Sequence, residues 1–302
     1  MDKAINFPNL GIYLDNVGQT FSVFGFEIAY YGVLVVIGMM SGLFIMSHEA
    51  KRLGENTEKY WDMGIIMLVA GVVGARIFYI TFSWQYYKDN LLSMFNLRNG
   101  GLAIYGGIIG AVIAVYIYGR IQKISFPRML DCIAPGLLIG QVIGRWGNFF
   151  NREVFGGYTN NLLAMQLPTT TVREQSEITQ QMLDNLVSIG GSDFIQVHPT
   201  FLYEGLWNVG VFMLIWLYRK HKKFEGEVFS LYLLGYGVGR FWIEAVRTDK
   251  LMIQGTSLPV SQVISVGLVI TSLVIIVIKR KNSKKIQDGS NKVETQDIVD
   301  KN

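Results

Sequence analysis

Three arginines, Arg76, Arg145 and Arg240, stand inside stretches that are otherwise apolar. A charge at the centre of a bilayer costs on the order of 2.5–3.5 kcal/mol, so each of them needs a partner or a task. Guanidinium stays charged and grips phosphate through a planar fork of donors. Arg240, Glu244 and Arg247 follow one another at i, i+4 and i+7 and so share one helix face. Arg145 and Asn148, at i and i+3, share another. The chemistry these types support is recognition of an anionic lipid headgroup, with Glu244 neutralising and aiming either arginine. A purely structural ion-pair network is the competing reading, and it weighs most for Arg76 and Glu244.

The elements that must hold these residues are membrane helices. Half of the 302 residues are hydrophobic, and they occur in long runs rather than at core periodicity. The expected fold class is an all-α membrane protein with seven transmembrane helices, at about residues 27–47, 61–83, 101–119, 129–150, 203–218, 227–246 and 258–278. Polar residues interrupt the fourth and sixth. Basic residues cluster on one side: Lys51, Arg52 and Lys59; Arg120, Lys123 and Arg128; Arg219, Lys220, Lys222 and Lys223; and Lys279 onward. That asymmetry puts the amino terminus outside and the carboxyl terminus in the cytoplasm. The net charge of +4 is therefore a topology signal and does not point to nucleic acid. The chain then divides into an extracytoplasmic arm (1–26), four helices (27–150), a small extracytoplasmic cap (151–202), three helices (203–278) and a disordered cytoplasmic tail (279–302). The cap is expected to carry a short helix near Glu174–Val187. No cleavable signal peptide is evident. The single cysteine, Cys132, allows no intrachain disulfide and reads as a packing residue. Glycines four apart, such as Gly106 and Gly110 or Gly136, Gly140 and Gly144, read as close helix packing, although Gly106-Gly107 also leaves room for a ligand.

Depth gives the arginines a common address. At about 1.5 Å of rise per residue, Arg76, Arg145 and Arg240 lie roughly 22, 24 and 20 Å from the inner ends of their spans. All three fall in the outer half of an approximately 30 Å core, and Tyr31 and Tyr105 begin spans near the same surface.

The stretch Gly144-Arg145-Trp146-Gly147-Asn148-Phe149-Phe150-Asn151-Arg152-Glu153-Val154-Phe155-Gly156 resembles the signature G-R-x-G-N-F-x-N-x-E-x-x-G of prolipoprotein diacylglyceryl transferases at every fixed position. Gly74-Ala75-Arg76, His198-Pro199-Thr200-Phe201-Leu202-Tyr203-Glu204, and Gly235-Tyr236 through Arg240, Glu244 and Arg247 resemble further family segments, so the likeness covers most of residues 25–280. It implies transfer of the diacylglyceryl group of phosphatidylglycerol to the lipobox cysteine of prolipoprotein signal peptides, in the bacterial inner membrane. It requires no cofactor, and no Cys/His cluster of metal-ligand spacing is present. Arg145 and Arg240 are expected on the phosphate, with Asn148 as a neutral donor. Glu153, Gly156, Glu204, Tyr31, Tyr236, Glu244, Arg247 and Arg76 are expected to line or orient the binding site. Tyr105 stands where some members carry a histidine cast as the general base. A tyrosine pKa near 10, against about 6.5 for histidine, leaves the base open. His198 is either a proton acceptor or a structural cap. A transporter and a structural membrane protein are the rival classes; the first is disfavoured by the lack of an internal repeat.

Overall fold

A computed structural model of the chain describes residues 3–96 and 100–299, with side chains described as far as Ser283. Seven long helices dominate the described residues: α1 (Tyr30–Arg52), α2 (Thr57–Phe82), α3 (Ile104–Gln122), α4 (Phe126–Asn151), α5 (Thr200–Tyr218), α6 (Glu227–Val246) and α7 (Val260–Val299). Six of the seven, all but α6, are long and apolar enough to cross a membrane. The exception is the interrupted sixth span, whose Glu227, Arg240 and Glu244 lower its hydropathy. The chain resolves into two compact units, Leu43–Ile133 and the remainder.

In the unit Leu43–Ile133, α2 and α3 pack closely because glycines meet. A Cβ on Gly74 would lie 2.5 Å from the Gly106 carbonyl oxygen, and one on Gly106 would lie 2.3 Å from Phe78. The Gly106 position is thus filled by its neighbour helix, in line with close packing and not with space for a ligand. Asn56 caps α2 by accepting from the Glu58 amide at 2.8 Å, and Arg128 pairs with Glu55 at 2.8 Å.

The second unit joins the remaining helices to a β-structured cap. Strands β1 (Ile5–Phe7), β2 (Ile12–Leu14), β5 (Met165–Pro168), β6 (Val187–Ile189) and β7 (Ser192–Val197) form an antiparallel sheet in the order β2-β1-β5-β7-β6. Strands β3 (Thr20–Val23) and β4 (Phe26–Ala29) form a separate hairpin that leads into α1. The expected all-α class is therefore correct for the bulk of the chain and wrong for the cap. The strands escaped sequence reading because they are three to six residues long, and β1 and β5 are buried at every residue. Such strands show no polar–apolar alternation. The helix expected near Glu174–Val187 shrinks to a 3₁₀ turn at Gln175–Glu177 and one α turn at Gln180–Leu183. Ile5, Phe7, Met165, Leu167, Met182, Ile195 and Val197 of the cap pack with Phe149 of α4 and Phe201 of α5, so the cap is rooted in the helices that carry the signature motifs. Buried Arg152 ties the amino-terminal arm to α4, donating to the carbonyls of Lys3 (2.9 Å) and Val17 (2.6 Å).

Close approach recurs among the helices of this unit: a Cβ on Gly136 would lie 2.5 Å from the Gly42 carbonyl oxygen. At the other end of the bundle, Glu227, fully buried, accepts from Arg280 at 2.6 Å and from the Tyr218 hydroxyl at 3.1 Å, which binds α5, α6 and α7 together. The 279–302 tail, expected to be disordered from its composition, continues α7 as helical backbone to Val299, in a stretch containing helix-favouring Lys and Gln; its last three positions lie outside the described residues.

Candidate active site

Arg145 lies in the last two turns of α4, Glu204 in the first two of α5, and Arg240 and Glu244 near the end of α6. The fold turns these separate motifs into one chain of alternating charge. Glu204, 7 % exposed, bridges the two arginines: one oxygen contacts Nε of Arg145 and the other lies 2.8 Å from Nη1 of Arg240. Arg240 reaches Glu244, one helical turn on, at 2.8 Å. Glu244 is 3.8 Å from Arg247, and Arg247 clamps Asp249 with two parallel hydrogen bonds. In the other direction Arg145 donates to Asn148 (3.3 Å), Asn148 to Glu153 (2.9 Å), and Arg173 closes on Glu153 at 2.6 Å.

Four arginines and four carboxylates thus alternate along the row, and the carboxylates hold each guanidinium in place. Not every donor is used. Nη2 of Arg145 and Nε of Arg240 have no hydrogen-bond acceptor among the described residues. Both arginines line a cavity of about 60 Å³ with Gln141, Glu204, Trp207, Asn208, Tyr236, Gly239 and Ile243. That is room for a few water molecules, so it suits a compact polar group and not a whole lipid. The Tyr236 ring stacks on Tyr232, whose hydroxyl accepts from Gln141 at 3.0 Å. The Tyr31 ring lies against Gly147, where a Cβ would come within 2.5 Å of it, one residue before Asn148.

Two expected binding residues take other tasks. Gly156 is a crossing point: its amide donates to the His198 carbonyl at 2.9 Å, its backbone bridges to Arg247, and a Cβ would lie 2.6 Å from the Val246 carbonyl oxygen. Arg76, in the other unit, spends all five N–H donors on carbonyls of its own loop. Nε donates to Met94 (2.8 Å), Nη1 to Gly100 and Gly101 (2.8 and 2.9 Å), and Nη2 to Ser93 and Asn96 (3.0 and 3.1 Å). It has no donor left for a phosphate, so the expected binding role of Arg76 gives way to a structural one. Gly101 belongs to this clamp: its φ is +81°, and a Cβ would meet Nη1 of Arg76 at 2.5 Å. Tyr105 begins α3 and is exposed, and its hydroxyl has no hydrogen-bond partner among the described residues.

Sequence reasoning missed Arg173, Asp249 and Glu177. The first two extend the charge row at each end. Burial alone would raise the Asp249 carboxyl, but the Arg247 bonds outweigh it and hold Asp249 below the usual carboxylate range. Glu177 behaves oppositely. One of its oxygens is buried without a hydrogen bond, and burial, with the charge of Asp249 second, pushes its carboxyl up to about 7. Only Asp249, two residues after Arg247, gave a usable signal. Among the described residues no group of three or more His, Cys, Asp or Glu is placed to hold a metal ion.

Comparison with known proteins gives the geometry a context. The family model described as prolipoprotein diacylglyceryl transferase matches residues 19–278. A phosphatidylglycerol–prolipoprotein diacylglyceryl transferase of Clostridioides difficile is 39% identical over 269 residues, which is 89% of this chain and 98% of the relative. A protein of the same name from Bacillus cytotoxicus is 37% identical over 265 residues, covering 86% of this chain and 90% of the relative.

Proposed function

The chain belongs to the prolipoprotein diacylglyceryl transferase family, and from that membership we infer that it transfers the diacylglyceryl group of phosphatidylglycerol to a cysteine of prolipoproteins, the first step of lipoprotein maturation. Arg145 and Arg240, held by one shared carboxylate with donors still unused, are the observation that carries the assignment of the site. The thiolate of the acceptor cysteine, in the lipobox of the signal peptide, attacks the glyceryl carbon that bears the phosphate. A carbon–sulfur bond forms, the carbon–oxygen bond breaks, and its electron pair stays on the phosphate oxygen. Glycerol phosphate leaves as a monoester, so negative charge grows on the phosphate as the bond breaks. Guanidinium donors fixed beforehand at that position favour the transition state over the ground state. Glu204 and Glu244 are positioning residues: they aim the arginines, while Asn148 and Glu153 fix Arg145 from the cap side. The same cations lower the pKa of an incoming thiol. Tyr105 is carried as a catalytic residue only by its place in the family-like segment, and Tyr31, Tyr236 and Arg247 by their positions around the row.

The chain is a multi-pass membrane protein. We place it in the bacterial cytoplasmic membrane with α6 as a seventh span, the amino terminus and cap outside, and the carboxyl terminus inside. Each charge on α6 is paired, Glu227 with Arg280 and Arg240 with Glu204 and Glu244, which is how a helix with three charges is tolerated within a membrane bundle.

The direct test mixes the purified protein with phosphatidylglycerol and a lipobox peptide and follows the cysteine by mass spectrometry. A diacylglyceryl adduct is expected with the wild-type protein, and none with a Cys→Ser peptide or with Arg145→Ala. No adduct from folded, lipid-bearing wild-type protein would refute the assignment.

A further inference from the structure

Helices α5 and α6 wall two spaces. Glu204 and Asn208 of α5, with Gly239, Arg240 and Ile243 of α6, line the arginine cavity. Tyr203 of α5, with Trp242 and Val246 of α6, lines an open groove of about 440 Å³, closed by His198 and the cap turn Asn161–Leu163. The two spaces are adjacent: the Trp207 ring of the cavity lining packs edge-on against the Trp242 ring of the groove, with 6.1 Å between centroids. The groove has the size of a small-ligand site and no charged residue in its lining. Leu162, Leu163, Trp242 and Val246 make it apolar, while one edge is polar and fixed. The Asn161 side-chain oxygen accepts from the Leu163 amide (2.9 Å), which leaves its amide nitrogen to donate to the Tyr203 oxygen (3.0 Å). The Tyr203 hydroxyl lies 3.1 Å from Nδ1 of His198; because its oxygen already accepts from Asn161, we assign the hydroxyl proton to Nδ1 and the ring proton to Nε2. Burial lowers the His198 pKa, which keeps the ring neutral. Backbone bonds of His198 to Gly156 and Gly157 fix the main chain that carries the ring. Nε2–H has no acceptor among the described residues.

We propose that this groove docks the cysteine-bearing polypeptide, with an apolar side chain of the segment before the cysteine lying between Leu162 and Trp242 and a backbone carbonyl of that segment accepting from Nε2–H of His198. The inference rests on the transferase reading above and goes beyond it by naming where the second substrate binds. Three observations select a polypeptide. A displacement needs nucleophile and electrophile held together, and only a space sharing walls with the arginine cavity achieves that. The lining has no cation, so the anionic headgroup gains nothing there. Beyond its two ester carbonyls a diacyl lipid has no acceptor for the imidazole donor along its chains, whereas a peptide offers a carbonyl at every residue.

Leu162 is 64 % exposed, so substitution there leaves the fold intact and tests the groove. A photocrosslinking benzophenone amino acid at 162, in vesicles containing phosphatidylglycerol, should capture a lipobox peptide whose cysteine is replaced by serine. Leu162→Glu should raise KM for the cysteine peptide about tenfold, leave KM for phosphatidylglycerol unchanged and leave kcat within about twofold. Capture of phospholipid instead of peptide, or an unchanged peptide KM, overturns the groove assignment while wild-type adduct formation keeps the transferase reading intact. Failure of the wild-type protein to form any adduct removes that reading, and the groove assignment with it.

Discussion

Two arginine environments within the helices of this molecule obey opposite rules. Around Arg76, five backbone carbonyls take five donors, the Tyr87 ring faces the guanidinium at 5.3 Å, and among the described residues no carboxylate pairs with it. Around Arg145 and Arg240, carboxylates hold the guanidiniums while donors remain over a cavity. The first arrangement is complete and locks a loop to a helix. The second leaves donors over, and in the proposed reading these are what an incoming phosphate accepts from. A cation buried in a membrane helix is therefore no evidence of catalysis by itself; its unspent hydrogen-bonding capacity is what separates a clamp from a site.

The comparison breaks most readily at Arg145. Arg145→Lys keeps the charge and loses the fork, and kcat should fall by about 10²- to 10³-fold, the range for loss of one fixed donor to a developing oxyanion. Near-normal turnover would mean that charge alone suffices. The matching change at Arg76 should act on another quantity. Arg76→Gln leaves several loop carbonyls without donors and should reduce stability by about 2 kcal/mol, seen as lost folded yield and a lower melting temperature. Turnover per folded molecule should stay at the wild-type value. A selective loss of turnover there, with unchanged melting, would erase the distinction between the two environments.

How much of this was legible in the sequence follows the same division. Arg145, Arg240 and Glu244 stand out because charges are costly in apolar runs, and Asn148, Glu153 and Glu204 because they sit in motif-like segments. Arg76 stands out equally, but its partners are carbonyls, and carbonyls leave no mark in a sequence. Arg173 and Glu177 lie in polar segments, where charge is ordinary and cannot attract notice. The helices were readable from apolar runs. The cap sheet was not, because a strand buried along its whole length, like β5, has no period to detect.

A smaller effect separates the parts within the site itself. Asn148, expected as a neutral donor on the phosphate, joins Arg145 to Glu153 across the end of α4, its oxygen accepting from Arg145 and its amide donating to Glu153. Asn148→Ala frees one side of the Arg145 guanidinium while Glu204 still holds the other. Activity should fall about tenfold, the lower end for residues that orient a functional group from behind. Asn148→Asp, which keeps the acceptor toward Arg145 but sets a second charge against Glu153, should not restore it. Full activity in Asn148→Ala would show that Glu204 alone positions Arg145.

The smallest effect lies at the rim, where Glu177 inverts the pattern of the site carboxylates. Glu204 sits between two arginines, whereas Glu177 faces Asp249, Glu174 and Glu153 and must share Arg247, which Asp249 already clamps. Its carboxyl titrates at about 7 in the folded chain, against an ordinary 4.5. Below 4.5 the group is protonated folded or unfolded, and it contributes no difference. As pH rises toward 7 the unfolded chain gives up this proton while the folded one retains it, so stability falls through that window and stays lower above it. Because the side chain is partly solvated, screening reduces the effect to about 1 kcal/mol. Glu177→Gln removes the ionisation and should raise the melting temperature by about 2–4 °C at pH 8 while leaving it unchanged at pH 4.5. The sign is what matters: the same neutralisation at Glu204 would strip two arginines of their anion and destabilise the fold. A gain at Glu177 of equal size at both pH values would trace the effect to packing and remove the contrast between a rim carboxylate that resists its charge and site carboxylates that require theirs.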